Sequence, residues 1–476
     1  MIEPEMMEKL LINYLKKHNI YDNNKSWCVK YSSLGGRGLH AIRDIKQGEL
    51  IFTDKPLIIG PRCYNKYLPM CINCYKSDCT LFSCDNGCGL PICSNDCENS
   101  IKHINSECKY LNNLQVTCGS MWSMELLQTV VPIRALSLND DEKKLLNGME
   151  CHDGPGHGRE IELLKKNISN IINEDDEKYM KKVCRIFDTN AFETVLIIDG
   201  KTSISLRGLF PLGALQNHSC TPNTRHYFTN NNVMITKASR DIKAGEELTM
   251  TYTDLLWDTS LRRRYLIASK HFECNCKRCC DPLELGSQIG AMRCANIDCY
   301  GFIYPDEPLN FETSWSCREC FKKITNRQIK VIRSGIKSII DPILLESPRK
   351  LLNFIETELL TLVPPTNHIM LDMKFRIISY FGRITDLTWK ELTEKELELK
   401  EKYCYDLLDI MDHLNLGDHQ KKGLILYELY CTINEKLRRD KNLIIKKNND
   451  KIIDKILEIL KDDISAPLDL KNFQDV

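Results

Sequence analysis

The sequence predicts an α+β protein, with short β-strands and cysteine clusters in its first two thirds and amphipathic helices in its last. Three observations predict it. Short alternating apolar runs broken by Gly-rich turns appear at Ser32–Phe52 and return from Leu212 onward. Most of the 24 cysteines crowd between Cys71 and Cys320. Past about Asn326 the apolar spacing changes to the period of three to four residues that marks helices. A chain of 476 residues has room for about two to four domains.

Charge and termini narrow the classes. The 65 lysines and arginines balance 65 aspartates and glutamates, so nothing global draws the chain to nucleic acid or an anionic membrane. Its start, MIEPEMMEKL, lacks the basic region and apolar core of a secretory signal. No apolar run approaches the ~20 residues that a bilayer span needs. The expectation is a soluble chain of a reducing compartment, where clustered thiols read as metal ligands rather than disulfides.

The first cluster, CINCYKSDCTLFSCDNGCGLPICSNDCENSIKHINSEC, offers Cys71, Cys74, Cys84, Cys88, Cys93, Cys97, His103 and Cys108, with Cys79 left over. Eight ligands suffice for two tetrahedral sites, in a segment too small to fold on core burial alone. The second cluster, FECNCKRCC, places Cys274, Cys276 and Cys279 as C-x-C-x-x-C, with Cys280 beside them. Three sulfurs leave a tetrahedral ion one ligand short, and Cys220 is the candidate for the fourth. Cys294, Cys299, Cys317 and Cys320 form two hooks around a turn and read as a zinc ribbon. All these sites are closed, so the expected zinc, about four ions, is structural.

Two further stretches frame the clusters. SSLGGRGLHAIRDIKQGELIF, Ser32 to Phe52, reads as a β-hairpin between a Gly-rich turn and a turn at KQGE. LGALQNHSCTPNTRHYF precedes NNVMITKASRDIKAGEELTMTYTDLL, in which RDIKAGEEL repeats the earlier RDIKQGEL. Together GGRGL, NHSCTPN, GEELTMTY and C-x-C-x-x-C resemble a SET-domain lysine methyltransferase. The first cysteine cluster resembles a MYND finger, and a finger set inside a SET domain is similar to the SET-and-MYND (SMYD) family. RCCDPLELGSQIGAMRC running into a ribbon is similar to the arthropod branch of that family. By motif the resemblance covers about residues 27 to 322.

The resemblance implies a SET β fold with a pseudoknot. Residues 1–70 would be its first part, 71–108 the MYND finger, 109–185 a helical insert and 186–262 the SET core. The post-SET zinc motif would follow at 263–285, the ribbon at 286–322 and a helical TPR-like domain at 323–476. In such a finger Cys71, Cys74, Cys93 and Cys97 share one zinc, and Cys84, Cys88, His103 and Cys108 the other. The implied cofactor is S-adenosylmethionine, hydrogen-bonded by Asn217 and His218, while Cys220 turns to the post-SET zinc and Asn223 closes the turn. Gly35, Gly36 and Arg37 would wrap its methionine part through backbone groups. Asn190 of DTNAF and His152 of MECHDG would add contacts, and Phe272 would stack on the adenine.

Tyr252 is the implied catalytic residue and a further cofactor contact. A lysine ammonium has no lone pair and must shed a proton and its water shell before it can accept a methyl group. A narrow apolar channel with a hydroxyl to orient the amine serves that purpose without a carboxylate base. One departure stands out: SKHFEC puts Lys270 where many family members carry a second tyrosine. It keeps open a second reading, a catalytically weak scaffold whose finger binds proline-rich peptides of transcriptional regulators. The implied partner is otherwise a protein with a target lysine, histone or not, met by a monomer in nucleus and cytoplasm. No membrane or sequence-specific nucleic acid is expected.

In the last third, SPRKLLNFIETELLTLV starts at Ser347 as N-cap before Pro348 and stops ahead of Pro364. TWKELTEKELELKEKYCYDLLDIMDHL and HQKKGLILYELYCTINEKLRRD follow as charged amphipathic helices, resembling the domain that closes the family's substrate cleft. The basic runs Arg262–Arg264 and Lys446–Lys447 read as solvated faces.

Overall fold

The computed structural model describes residues 2–62, 69–113, 122–153, 158–167, 172–198, 202–440 and 446–473. An N-terminal helix, Pro4–Lys17, buries Met7, Leu10, Leu11, Tyr14 and Leu15. That is the three-to-four spacing of one helical face. The face packs in one core with Trp27, Val29 and Leu39 of the first hairpin.

That hairpin joins Trp27–Tyr31 to Arg37–Ala41 across Gly35 and Gly36. Strand Glu247–Met250 adds to it, with Leu248 opposite Leu39, and runs parallel to Asn217–His218, with Thr249 opposite Asn217. Stretches some two hundred residues apart in sequence thus share one sheet. Ser219 N donates to Met250 O (2.8 Å) and Asn223 N to Thr249 O (3.2 Å), tying the NHSC segment beneath the strand.

The hairpin expected between GGRG and KQGE does not form. Arg37–Ala41 pairs on the other side of the glycines, and Leu50–Asp54 leaves for a second sheet beside Met234–Ala238. The intervening turn clasps its own repeat instead. Ile45 and Ile242 exchange backbone hydrogen bonds of 2.9 Å. Asp241 accepts from Gln47 N and Lys46 Nζ, and Asp44 accepts from Ala244 N and Lys243 Nζ, all at 2.9 Å. The two RDIK copies cap each other about a local pseudo-twofold axis.

Within residues 109–185 the described elements are all helices, and the last of them, Glu174–Asn190, runs on to the edge of the next sheet. The ribbon is a four-stranded sheet whose last strand, Lys323–Ile324, lies just past residue 322. Helices Asn326–Ile343, Pro348–Phe354, His368–Tyr380, Glu394–His413, Gln420–Arg439 and Lys446–Leu460 follow. Ser347 caps its helix by accepting from Lys350 N, and Thr393 and Glu396 form a capping box. Among the described residues no helix is long and apolar enough to cross a membrane.

One reading is corrected. Arg262 and Arg263 are not a solvated face: they are 0% and 2% exposed, and only Arg264 of that run is in solvent. Buried guanidiniums need partners, and both find several. The side chains of Lys446 and Lys447 lie outside the described residues.

Candidate functional site

Six separated stretches meet at one cavity of about 340 Å³. Gly35, Gly36, Arg37, His152, Asn190, Asn217, His218, Tyr252 and Phe272 all line it. Gly35 and Gly36 have φ of 134° and 57°, left-handed backbone that glycine adopts at no steric cost. A Cβ on either would meet nothing within 4 Å, so the loop opens onto space. Gly38 is glycine for the opposite reason, since a Cβ there would overlap the Glu247 carboxylate.

Glu247 is the pin of this cavity. Ser32 Oγ donates to its carboxylate (2.7 and 2.8 Å) and Asn217 Nδ2 to Oε1 (2.7 Å), joining the glycine loop to the NHSC segment. Asn217 spends its other amide hydrogen on Arg37 O (3.1 Å), which leaves its carboxamide oxygen to offer a ligand. Asn190 is built alike: Nδ2 donates to Ile186 O (2.8 Å) and Glu150 O (2.6 Å), holding the 149–152 segment against its helix. The Arg37 guanidinium turns away to the Ile2 and Gly148 carbonyls, so this residue faces the cavity with its backbone.

His218 is committed on both ring nitrogens. Nδ1 accepts from Tyr252 N (3.0 Å), which puts the proton on Nε2, 3.2 Å from Cys220 Sγ. Burial pushes its pKa down to about 4, against Cys276 and aided by Arg262 and Arg278. What His218 can give a ligand is therefore its ring face and backbone. The Tyr252 hydroxyl donates to Gln216 O (2.6 Å), and burial, with Glu247 adding, pushes its pKa up, so the phenol stays protonated. His271, left-handed at φ 60°, ends helix Thr259–Lys270 and swings Phe272 to 6.1 Å from His218 and 6.4 Å from Tyr252, centroid to centroid.

A second cavity of about 580 Å³ abuts the first. Thr189, Asn190, Ala214, Tyr252 and Lys270 line both. Five shared lining residues thus set the two cavities side by side.

Four groups of ligand atoms could hold a metal ion, each with its atoms within 4.8 Å of one another. They are Cys71, Cys74, Cys93, Cys97; Cys84, Cys88, His103, Cys108; Cys220, Cys274, Cys276, Cys279; and Cys294, Cys299, Cys317, Cys320. Four soft donors per group and no carboxylate among them fit zinc. Cys79 and Cys280 stay exposed and outside the groups. In the second group Glu107 accepts from His103 Nδ1 (3.0 Å), turning Nε2 toward the thiols. Burial would raise the Glu107 carboxyl, but Arg134, held at 2.8 Å on both oxygens, keeps it well below the usual range.

Arg262 donates to Cys220 Sγ (3.2 Å) and Cys279 Sγ (3.5 Å), and Arg262 and Arg278 share Glu284 at 2.8 and 3.0 Å. Sequence reasoning missed Glu247, Gly38, Arg262, Arg278 and Glu284. Glu247 sits within GEELTMTY and Gly38 within GGRGL, so the motifs named their neighbourhood but not their part.

A SET domain model matches residues 36–253. SET domain-containing protein SmydA-8, isoform A, of Drosophila melanogaster is 30% identical over 435 residues, 90% of this chain and 92% of its own. Histone-lysine N-methyltransferase SMYD3 of Homo sapiens is 27% identical over 260 residues, 51% of this chain and 59% of its own. Among solved structures, the SET domain of LSMT bound to lysine and AdoHcy covers 99% of this chain and 98% of its own, at 12% identity. Its TM-score of 0.28 carries no argument. The likeness to SmydA-8, by contrast, runs nearly the length of both chains, and on that footing the protein belongs to the SMYD family of SET-domain methyltransferases.

Proposed function

We propose that the protein is an S-adenosylmethionine-dependent protein-lysine N-methyltransferase, acting in nucleus and cytoplasm on a histone or another protein, with four structural zinc ions. The single observation carrying this is the convergence of nine residues from six stretches on a cavity that shares a wall with a second one. In this reading S-adenosylmethionine, when bound, supplies an electrophilic methyl group on a sulfonium. The positive-φ loop at Gly35–Gly36 offers backbone groups to its amino-acid end, and the Asn190 and Asn217 carboxamide oxygens accept from it. Phe272 gives the adenine a ring to stack on. Target lysine enters from the larger cavity, and Tyr252 stands where the two meet; its hydroxyl proton is held by Gln216 O, and its oxygen lone pair orients the amine.

Calorimetric titration with S-adenosylmethionine tests the pocket. Binding near micromolar, about −8 kcal/mol, should vanish in an Asn217→Ala, His218→Ala double variant that keeps its zinc. Tyr252→Phe should lower turnover by about 10² or more while leaving cofactor affinity nearly unchanged; equal loss of both would make Tyr252 merely structural. A second reading, a scaffold that binds proline-rich peptides, is favoured by Lys270 in the common wall. Absence of cofactor binding by folded, zinc-loaded protein would select it.

A further inference from the structure

Lys270 is not used by the mechanism above, yet it stands at the centre of it. Its side chain leaves the last turn of helix Thr259–Lys270 and lines both cavities. Its Nζ donates to Thr189 O (2.6 Å) and lies 5.4 Å from the centre of the Tyr252 ring. Thr189 O and the Tyr252 ring thus hold this amine where the two cavities share their lining. Asp188, next to Thr189 in sequence, is engaged by Arg207 at 2.9 Å. Burial and then Arg207 push the Lys270 pKa down, against a smaller pull from Asp188. More of this amine is therefore neutral at a given pH than of a lysine in water.

We infer that Lys270 is itself a methyl acceptor: the chain methylates its own Lys270 from S-adenosylmethionine bound in the smaller cavity. This rests on the proposed reading of that cavity. In the step, Nζ first loses a proton to water. Its lone pair then attacks the sulfonium methyl carbon; the N–C bond forms, and the C–S bond breaks with its electron pair going to sulfur. The products are a thioether and a protonated secondary amine, and the one proton released overall is in the water. The attack is intramolecular, so the amine reaches its donor without the association cost a protein substrate bears. A methyl there adds bulk to the common wall, and the modified chain would present a different channel to an incoming lysine.

The experiment uses the full zinc-loaded chain, incubated with S-adenosylmethionine and followed by intact mass and peptide mapping, with calorimetry on the same preparation. The expected result is one added methyl at Lys270, formed at a rate per chain that does not change when the protein is diluted. Lys270→Arg and Lys270→Met should abolish it, and an added methyl that persists in either variant would overturn the assignment to Lys270. Cofactor binding without modification of Lys270 would overturn this inference and leave the proposed function standing. A rate that falls on dilution would overturn its intramolecular form. No cofactor binding at all would overturn both.

Discussion

Two four-cysteine groups lie close together in the chain and are built on opposite plans. The ribbon group takes Cys294, Cys299, Cys317 and Cys320 from two local hooks. Backbone N–H groups of Asn296, Gly301 and Glu319 each point at a sulfur at 3.4 Å, and two of the four thiols are flanked by highly exposed side chains. The post-SET group takes Cys274, Cys276 and Cys279 from one hook, but Cys220 from 54 residues or more away. It is walled by Arg262, Arg278 and Glu284, and within its hook the Cys279 N–H also reaches Cys276. The local hooks complete the ribbon site by themselves, whereas the site closed from afar is lined by buried charges. Only the second is wired to the cavity, because His218 Nε2 also reaches Cys220 Sγ.

The sharpest way to break that contrast is Cys220→Ser. It should release one zinc equivalent, read by metal analysis, and abolish the calorimetric signal of S-adenosylmethionine. Loss of metal with cofactor binding intact would disconnect the two. Arg262→Met comes next. It removes a guanidinium from beside two cysteine sulfurs and Glu284, and breaking such a buried set costs about 3–5 kcal/mol, visible as a lowered denaturant midpoint. Cys317→Ser should also cost one zinc, but hydrogen exchange should rise in 292–324 alone while cofactor affinity holds. Gly36→Ala is the mildest: a left-handed residue with a Cβ costs about 1–2 kcal/mol, and cofactor affinity should fall without any change in zinc content.

The same contrast explains what could be read from the sequence. The ribbon hooks and the finger announced themselves through spacing, because each ligand pair is local. The cavity was reachable only through motif likeness, since Gly35, Asn190 and Tyr252 meet by a fold that spacing does not encode. The Ser32–Phe52 hairpin was misplaced because alternation marks strands but not their partners; the partner of Leu50–Asp54 is Met234–Ala238. The Arg262–Arg263 burial was missed for a related reason. A basic run reads as solvated unless one knows that Glu284, Cys220 and the Cys274 carbonyl will surround it.

The RDIK clasp carries a consequence for biosynthesis. Asp44 and Asp241 each hold the other copy's turn, across 194 to 200 residues of chain. At about 5–20 residues per second, a ribosome needs on the order of ten to forty seconds to deliver the second copy after the first. Throughout that interval the strand Leu50–Asp54 waits without its partner Met234–Ala238, while the finger between the copies already has all its candidate ligands. Closing so long a loop is entropically slow, and high contact order sets the pace of folding. Any part of the intervening chain that condenses first, the finger included, would shorten the loop that the clasp must close.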